Sequence, residues 1–428
     1  MENNSIVNKM LVFANKFSSQ RHIAAIRDGF VALIPLTIIA SFWVLVNNLL
    51  LSPTNGLLKN VTAAAKWMDL GNQVYNASLG ILAILIAATI GYKLAASYNH
   101  DGLFGAVMGI VSFVLVLPAQ VALTDVNGES FTAGAVLTQA QTSATGMFLA
   151  IIATLLSVTL LVKFSNMDKL KIRMHESVPP SIAKSFNVLI PAFLVTTIIG
   201  LLEVVIVWTV KSDIPTLIAK FFQAPLMASF QSLGGSLVYV FLCNLLWAFG
   251  LHGTFILGSI GEPVMLTAIQ ENMDALKNNA ELPNIVTKPF LDSFAWMGGG
   301  GMLFCLVIAI FIGSKREDYR SITKVGLIPS LFNVSEPLMF GLPVVFNPLL
   351  GIPLILVPTV TTTIAYFATS MGIIAKTSAL IPWTTPPVIS GYLATNGDWK
   401  AALLQVILLA IGVVIYLPFV RMTNKEKF

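Results

Sequence analysis

One carboxylate in this sequence stands inside an apolar stretch that helix breakers interrupt repeatedly. Residues 326–347 read GLIPSLFNVSEPLMFGLPVVFN, and Glu336 is the acid among them. An ionised carboxylate in an apolar medium is costly unless it is paired or hydrated, so its presence there suggests a use. A carboxylate placed beside a hydroxyl group can take up the proton that the hydroxyl loses as it attacks. Glu336 is therefore the first candidate for catalysis.

The residues around Glu336 predict a short, broken helix. The tripeptide Ser-Glu-Pro at 335–337 is typical of a helix start, and Pro329, Gly341 and Pro343 divide the remaining stretch into short pieces. Broken backbone at membrane depth is tolerated where it lines a polar cavity, and it often marks the binding site of a transporter. The alternative is that Glu336 only caps a helix at the membrane surface.

A second set of polar and aromatic residues could line the same cavity. Amides and carboxylates pair with sugar hydroxyls, and flat aromatic rings stack against the apolar face of a pyranose. The alternatives are ordinary ones: an interfacial Trp, an Asn or Asp that caps a helix or lies in a loop, or a His packed in the core. The candidates are His252, Asn244, Trp247, Asp292, Trp296, Asn333, Trp383, Thr384 and Thr385.

Other kinds of chemistry find little support. The glycine run at 298–301 lacks the Lys-Ser or Lys-Thr ending of a phosphate-binding loop, and close helix packing accounts for it better. Cys243 and Cys305 lie in apolar stretches without disulfide or metal spacing. We therefore expect no cofactor and no metal. The net charge of +5 indicates cytoplasmic Lys and Arg, and we expect no nucleic-acid partner.

The composition places all these residues in a lipid bilayer. The chain of 428 residues is 56% hydrophobic and 11% charged, and its mean hydropathy is +0.82. A soluble domain is far less apolar. We predict an all-α polytopic membrane protein with about ten transmembrane helices. The clearest apolar runs lie at 30–51, 75–97, 103–123, 146–162, 188–210, 236–250, 294–312, 349–371 and 401–420.

Shorter elements are expected between the spans. Amphipathic surface helices are predicted at 1–29 and 214–230, and re-entrant hairpins at 255–269 and 326–347, with another irregular segment at 381–393. The hairpin segments share a Glu-Pro-aliphatic-Met core at Glu262 and Glu336, which would be an internal repeat if both formed similar hairpins.

Charge predicts the orientation and a division into halves. The loop 124–145 has acids but no Lys or Arg, whereas 163–184 has five basic residues, so the first loop lies outside and both termini lie in the cytoplasm. We predict a dimerisation half at 1–186, extended by the fifth span to about 210. A connector follows at 187–230, and a substrate-binding half occupies 231–428.

Taken together, these features resemble a known family. The run NVSEPLMFGLPVVFNP, with its Asn-x-x-Glu-Pro-x-x-Phe-Gly-x-Pro pattern at 333–343, the upstream LHGT, and the order of the spans resemble the membrane (IIC) component of the bacterial sugar phosphotransferase system. The likeness is to its lactose, cellobiose and diacetylchitobiose group, and it covers essentially the whole chain.

The resemblance implies a homodimer in the bacterial plasma membrane that takes up a β-linked disaccharide. It also implies that the C6 hydroxyl of the sugar is phosphorylated by a phosphocysteine on a separate cytoplasmic IIB partner. By matching motifs, Glu336 resembles the family's substrate-binding and base-acting glutamate, and His252 resembles its second polar active-site residue. Asn333 and Trp383 would contact the sugar by position.

Two points stay open at the sequence level. An ion-coupled secondary sugar transporter would use Glu336 and His252 as a proton relay, which is the main alternative function. The disaccharide is also undetermined, because lactose, cellobiose and diacetylchitobiose differ by one hydroxyl orientation or one acetamido group, and pocket shape decides between them.

Overall fold

A computed structural model describes most of the chain: residues 19–53, 56–61, 63–125, 129–172 and 186–424, together with Val12, Lys16, Phe17 and Pro179. Three predictions fall wholly or partly outside these residues. They concern the amphipathic helix at 1–29, the basic loop at 163–184 and the cytoplasmic tail.

The described residues are mainly helical, with one two-stranded antiparallel sheet. The helices of the first 231 residues are α1 (Arg21–Leu45, followed by a π-helical turn Val46–Leu51), α2 (Met68–Asn76), α3 (Leu82–Ser97), α4 (Gly102–Leu115), α5 (Gln139–Thr142), α6 (Met147–Ser165), α7 (Leu189–Val210), α8 (Ile214–Ile218) and α9 (Ala224–Gln231). Those that follow are α10 (Leu233–Ala248), α11 (Gly253–Lys277), α12 (Lys288–Phe294), α13 (Leu303–Gly313), α14 (Glu317–Leu331), α15 (Glu336–Gly341), α16 (Pro348–Ser370), α17 (Ile389–Ala394) and α18 (Trp399–Thr423). The strands are β1 (Gln120–Thr124) and β2 (Ser130–Gly134), with Gln120 opposite Gly134.

The all-α membrane class is confirmed. Within the described ranges, six helices are long and apolar enough to cross a membrane. A seventh is possible if Ile214–Gln231 and Leu233–Ala248, which meet at 85°, form one broken span. The figure of about ten spans stays a prediction. The six are Arg21–Leu45, Ala64–Ser97, Ala144–Ser165, Leu189–Val210, Pro348–Ser370 and Trp399–Thr423.

The amino-terminal unit consists of Ser19–Pro35 and Ala77–Pro225. Its centre is the packing of α3, α4 and α6 against one another. Gly91 on α3 and Gly105 on α4 approach so closely that a β-carbon on either would collide with the backbone of the other. Small residues allow this contact between apolar helices, which have no hydrophobic drive to associate within lipid.

The carboxyl-terminal unit consists of the described parts of Met1–Ser18, Leu36–Asn76 and Leu226–Phe428. Helix α18 packs on α13 and α16, and α16 also packs on α10. Buried side chains of α18 satisfy the backbone of the broken segments: Gln405 donates to the Ser293 carbonyl at 2.6 Å and accepts from the Gly391 amide at 2.6 Å. Irregular backbone away from water requires such partners. Residues 36–76 belong to this unit, and the roles assigned to the two halves stay predictions.

The re-entrant hairpin predicted at 255–269 is wrong. Helix α11 runs without a break through Pro263 and continues to Lys277. The polar residues that suggested its end are satisfied inside the unit. Gln270 accepts from the Tyr75 hydroxyl at 2.8 Å, and the Asn272 amide donates to the carbonyls of Asn284 and Thr377, both at 2.8 Å. The polar residues from Gln270 onward therefore form buried hydrogen bonds within the helix, and they do not end it.

The suggested repeat fails for the same reason. Glu262 lies within the long helix α11, whereas Glu336 is the first residue of the short helix α15. The two Glu-Pro segments are thus not similarly built hairpins.

Candidate functional site

His252 occupies the start of α11 and has a fixed position there. It is the N-cap residue, and its Nδ1 accepts a hydrogen bond from the Phe255 amide at 3.2 Å. The ring centroid of Trp247 lies 4.2 Å from that of His252, and the Phe255 ring stacks on it at 3.7 Å with an interplanar angle of 12°. The cap bond and the two aromatic neighbours together fix the plane of the imidazole.

Glu336 meets His252 through the other ring nitrogen. Glutamate Oε1 lies 3.5 Å from His252 Nε2. The carboxylate belongs to the first residue of α15. Its side chain is 45% exposed and that of His252 is 28% exposed. Two residues that are 84 positions apart in sequence thus meet where two helices begin, and the carboxylate stays accessible.

A tight glycine turn runs beside Glu336. Gly298 and Gly299 have φ values of +88° and +85°. A β-carbon on Gly299 would lie 2.6 Å from the β-carbon of Ser335, so only glycine fits both the backbone conformation and the space. The apolar run predicted at 294–312 is therefore not one continuous helix, because it is interrupted at Gly298 and Gly299 before the apolar helix Gly300–Gly313.

Asn333 uses its side-chain amide to join this turn to another broken segment. Its Oδ1 accepts from the Gly298 amide at 2.8 Å, and its Nδ2 donates to the carbonyls of Trp383 and Thr385 at 2.6 and 3.1 Å. Asn333 is 8% exposed. Both amide hydrogens are therefore committed to backbone carbonyls, and the predicted sugar contact of this residue would depend on the remaining acceptor capacity of its oxygen.

Asn244 holds the other end of the glycine turn. Its Oδ1 accepts from the Gly301 amide and its Nδ2 donates to the Val240 carbonyl, both at 2.7 Å. Trp247 lies one helical turn after Asn244 on α10 and packs against the glycine turn. A β-carbon on Gly300 would come within 2.5 Å of the indole Nε1 of Trp247. That indole nitrogen is buried and has no hydrogen-bond partner among the described residues.

Asp292 belongs to a buried ion pair. Both of its carboxylate oxygens accept from Lys288 Nζ, at 2.5 and 2.7 Å, and its side chain is 6% exposed. Glu262 of α11 lies 3.9 Å from the same Nζ. The carboxylate predicted to bind sugar is thus already occupied by a lysine.

The four remaining predicted residues are Trp296, Trp383, Thr384 and Thr385. Trp383 is 37% exposed, which leaves its ring accessible, whereas Trp296 is 8% exposed. Thr384 is partly buried beside Trp383, and its neighbour Thr385 donates its hydroxyl to the Pro382 carbonyl at 2.6 Å. Among the described residues, no group of three or more His, Cys, Asp or Glu side chains could hold a metal ion.

A match to a protein-family model shows which family the chain belongs to. The model described as "Phosphotransferase system, EIIC" matches residues 27–358. The chain belongs to this family. EIIC components take part in sugar transport coupled to phosphorylation, and the resemblance based on the motif at 333–343 is confirmed.

Relatives of this EIIC component align over nearly its full length. It is 34% identical to the lichenan permease IIC component of Bacillus subtilis (strain 168), over 99% of this chain and 94% of the relative. It is 32% identical to the cellobiose-specific EIIC component of Geobacillus stearothermophilus, over 98% and 93%. The crystal structure of ChbC, the IIC component of the N,N'-diacetylchitobiose-specific system, matches with a TM-score of 0.91 and 33% identity, over 97% of this chain and 96% of that one. The EIIC component is thus a multi-pass membrane protein for sugar transport.

Sequence reasoning missed several residues that shape this site. Phe255 lies three positions after His252, and Lys288 lies four positions before Asp292. Helical spacing brings such residues together, so both contacts had a local signal. Phe340 is part of the motif at 333–343, but its contact with Trp247, at 6.4 Å between ring centroids, had no local signal because the two residues belong to different helices.

Proposed function

We propose that this EIIC component takes up a β-linked disaccharide and presents its C6 hydroxyl to a phosphocysteine on a separate cytoplasmic IIB protein. The observation that carries the proposal is the contact between Glu336 Oε1 and His252 Nε2 at 3.5 Å, on an accessible carboxylate at a helix start. The names of the relatives, which refer to cellobiose, lichenan and diacetylchitobiose, support the substrate class.

The proposed reaction requires a base at the sugar. The C6 oxygen attacks the phosphorus of phosphocysteine, an O–P bond forms, and the S–P bond breaks to release the cysteine thiolate. The hydroxyl proton passes to the Glu336 carboxylate. Phosphoryl transfer depends mainly on positioning and charge stabilisation, so a base held at a fixed place suits it.

The remaining candidates divide into two roles. Trp383, with Thr384 and Trp296, would contact the sugar, since an aromatic ring can stack on a pyranose face. We assign supporting roles to Asn244, Asn333 and Asp292, because their polar atoms already hold the glycine turn, the segment at 383–385 and Lys288. Trp247 would form the wall behind His252.

We further propose a homodimer in the bacterial plasma membrane with both termini in the cytoplasm. The family resemblance supports the homodimer, and the basic residues of the loop at 163–184 support the cytoplasmic orientation of the termini. Helix α7 has a broad apolar surface that the described residues leave open, since they bury only 17% of its most apolar stretch. Lipid or a second copy would cover it.

Reconstituted vesicles test the proposed function. Purified protein in vesicles is supplied with radiolabelled cellobiose and with phosphorylated or unphosphorylated IIB protein. We expect sugar phosphate to accumulate only with phosphorylated IIB. If an imposed proton gradient alone drives accumulation of unmodified sugar, the chain is an ion-coupled transporter and the proposal is wrong. A binding panel of lactose, cellobiose and diacetylchitobiose then identifies the substrate.

A further inference from the structure

The hydrogen bond that caps α11 determines where the imidazole of His252 carries its hydrogen. A backbone amide can only donate, and the Phe255 amide points to Nδ1 at 3.2 Å. Nδ1 must therefore present its lone pair. The Thr254 hydroxyl, 3.1 Å from the same atom, can donate to it as well. In the neutral ring the hydrogen then lies on Nε2, which faces Glu336 Oε1 at 3.5 Å.

Exchange of the two nitrogens is prevented by the surroundings of the ring. A half-turn of the imidazole would have to pass Trp247 and the stacked Phe255 ring. A hydrogen on Nδ1 would instead point at the hydrogen of the Phe255 amide, which lies 3.2 Å away. Either change would also remove the side-chain cap of α11.

We propose that His252 is a positioning residue held in the Nε2–H tautomer: it donates to the Glu336 carboxylate and orients it, and does not itself carry the proton of the sugar. This inference rests on the proposed function. The hydroxyl proton goes to Glu336, whose carboxylate has about four acceptor sites. It can therefore accept from His252 and from the sugar together.

Two substitutions of His252 test the roles of Nδ1 and Nε2 independently. His252→Asn keeps an acceptor near Nδ1 and is a good N-cap, but it cannot reach Glu336. His252→Gln places its amide near Nε2, where it can donate to Glu336, and it caps poorly. We expect the thermal midpoint of His252→Asn to stay close to that of the wild type, while its rate of phosphoryl transfer falls about 10- to 100-fold, as a misplaced reacting group allows.

We expect the reverse order for His252→Gln, with a lower thermal midpoint but a faster rate than His252→Asn. Sugar dissociation constants should change less than the rates in both variants. If His252→Asn transfers phosphoryl groups at the wild-type rate, or if the rate order of the two variants is inverted, the positioning role is wrong. In either case wild-type production of sugar phosphate would still stand.

Nitrogen NMR provides a readout that does not depend on turnover. The full chain is labelled with ¹⁵N-histidine in detergent, and the His252 signals are assigned by their absence from the His252→Gln spectrum. We expect an unprotonated Nδ1 and a protonated Nε2. A hydrogen on Nδ1, in either the neutral or the charged ring, would overturn the inference. If the tautomer is as expected but no sugar phosphate forms, the proposed function fails and the tautomer assignment stands.

Discussion

Glu336 and His252 differ in how exposed their side chains are and in how far the surrounding residues restrict them. His252 has one nitrogen committed to the cap of α11 and two aromatic rings against its imidazole, so its freedom is small. Glu336 is nearly half exposed at the first residue of a short helix. A general base has to reach its substrate, so the carboxylate is the group suited to accept the proton.

The first prediction at this scale concerns Glu336→Gln. We expect a folded protein that still binds sugar but transfers phosphoryl groups about 10²- to 10⁴-fold more slowly, because the amide cannot take a proton. The rate is measured with phosphorylated IIB protein, and sugar binding by calorimetry. Glu281→Gln, at a side chain that is 95% exposed, is the control. Wild-type turnover of Glu336→Gln would end the base assignment.

Trp383→Ala should affect binding more than chemistry. Loss of a stacked aromatic ring, worth about 1 kcal/mol beyond its area, should raise the sugar dissociation constant about tenfold. The rate at saturating sugar should change little. Trp399→Ala, at another exposed tryptophan, serves as the control. An unchanged dissociation constant would contradict the assignment of Trp383 to the sugar.

At the scale of elements, the broken segments are held by side chains from other segments. The glycine turn donates its Gly301 amide to Asn244 on α10 and its Gly298 amide to Asn333 after α14, and it accepts from the Tyr416 hydroxyl of α18 at the Gly301 carbonyl, at 2.6 Å. Backbone that lies outside a helix and away from water must find such partners. Positioning of Glu336 thus depends on several elements that do not contact the substrate.

Asn333→Ala tests this dependence. Loss of its three hydrogen bonds should destabilise the protein by about 2–3 kcal/mol, which is measured as a lower thermal midpoint in detergent. Asn396→Ala is a matched control, because Asn396 also has a positive φ, +56° against +62°. Equal midpoints for the two variants would show that only backbone strain matters and that Asn333 does not join the segments through its side chain.

Asp292 leads to a prediction about a buried charge. Asp292→Asn removes the main partner of Lys288 and should cost about 3–5 kcal/mol, because a charge is left buried and poorly paired. Replacing the pair together, as Lys288→Met with Asp292→Leu, should restore part of that stability. Thermal midpoints of the two variants and of the wild type are compared. A double variant no more stable than Asp292→Asn would contradict this account.

At the scale of the whole molecule, the chain contains two compact units, and the residues of the candidate site all belong to the carboxyl-terminal one. The apolar helices place these units in a membrane. In the proposed function the IIB protein approaches from the cytoplasm, so the proposal requires a particular orientation of the chain in the membrane.

Thiol labelling measures that orientation. Native Cys243 and Cys305 are buried, so they should not react. We expect Thr132→Cys on β2 to be labelled by an impermeant reagent from outside intact cells, and Glu317→Cys at the start of α14 only in inverted vesicles, because the basic residues near 315–324 favour the cytoplasm. Labelling of both positions from one side would contradict the predicted orientation.

Composition and motifs were sufficient for class and family. Hydropathy identifies apolar helices because every backbone polar group in lipid must be satisfied within the segment, and the motif at 333–343 identified the family. Glu336 stood out because a carboxylate among apolar residues is costly. These properties belong to residue types and short spacings, so they can be recognised before the chain is folded.

Only the tertiary structure showed which polar side chains form hydrogen bonds within the protein, and with which partners. Asn333 bonds to residues 35 and 50 positions away, and Asn244 to one 57 positions away. The local sequence therefore could not show whether these asparagine amides bind sugar or hold the backbone of the protein. The same holds for α11, whose polar end looked like a loop until Tyr75, Asn284 and Thr377 supplied its partners. A hydrogen bond depends on distance in space, and sequence spacing determines that distance only within a helix or a turn.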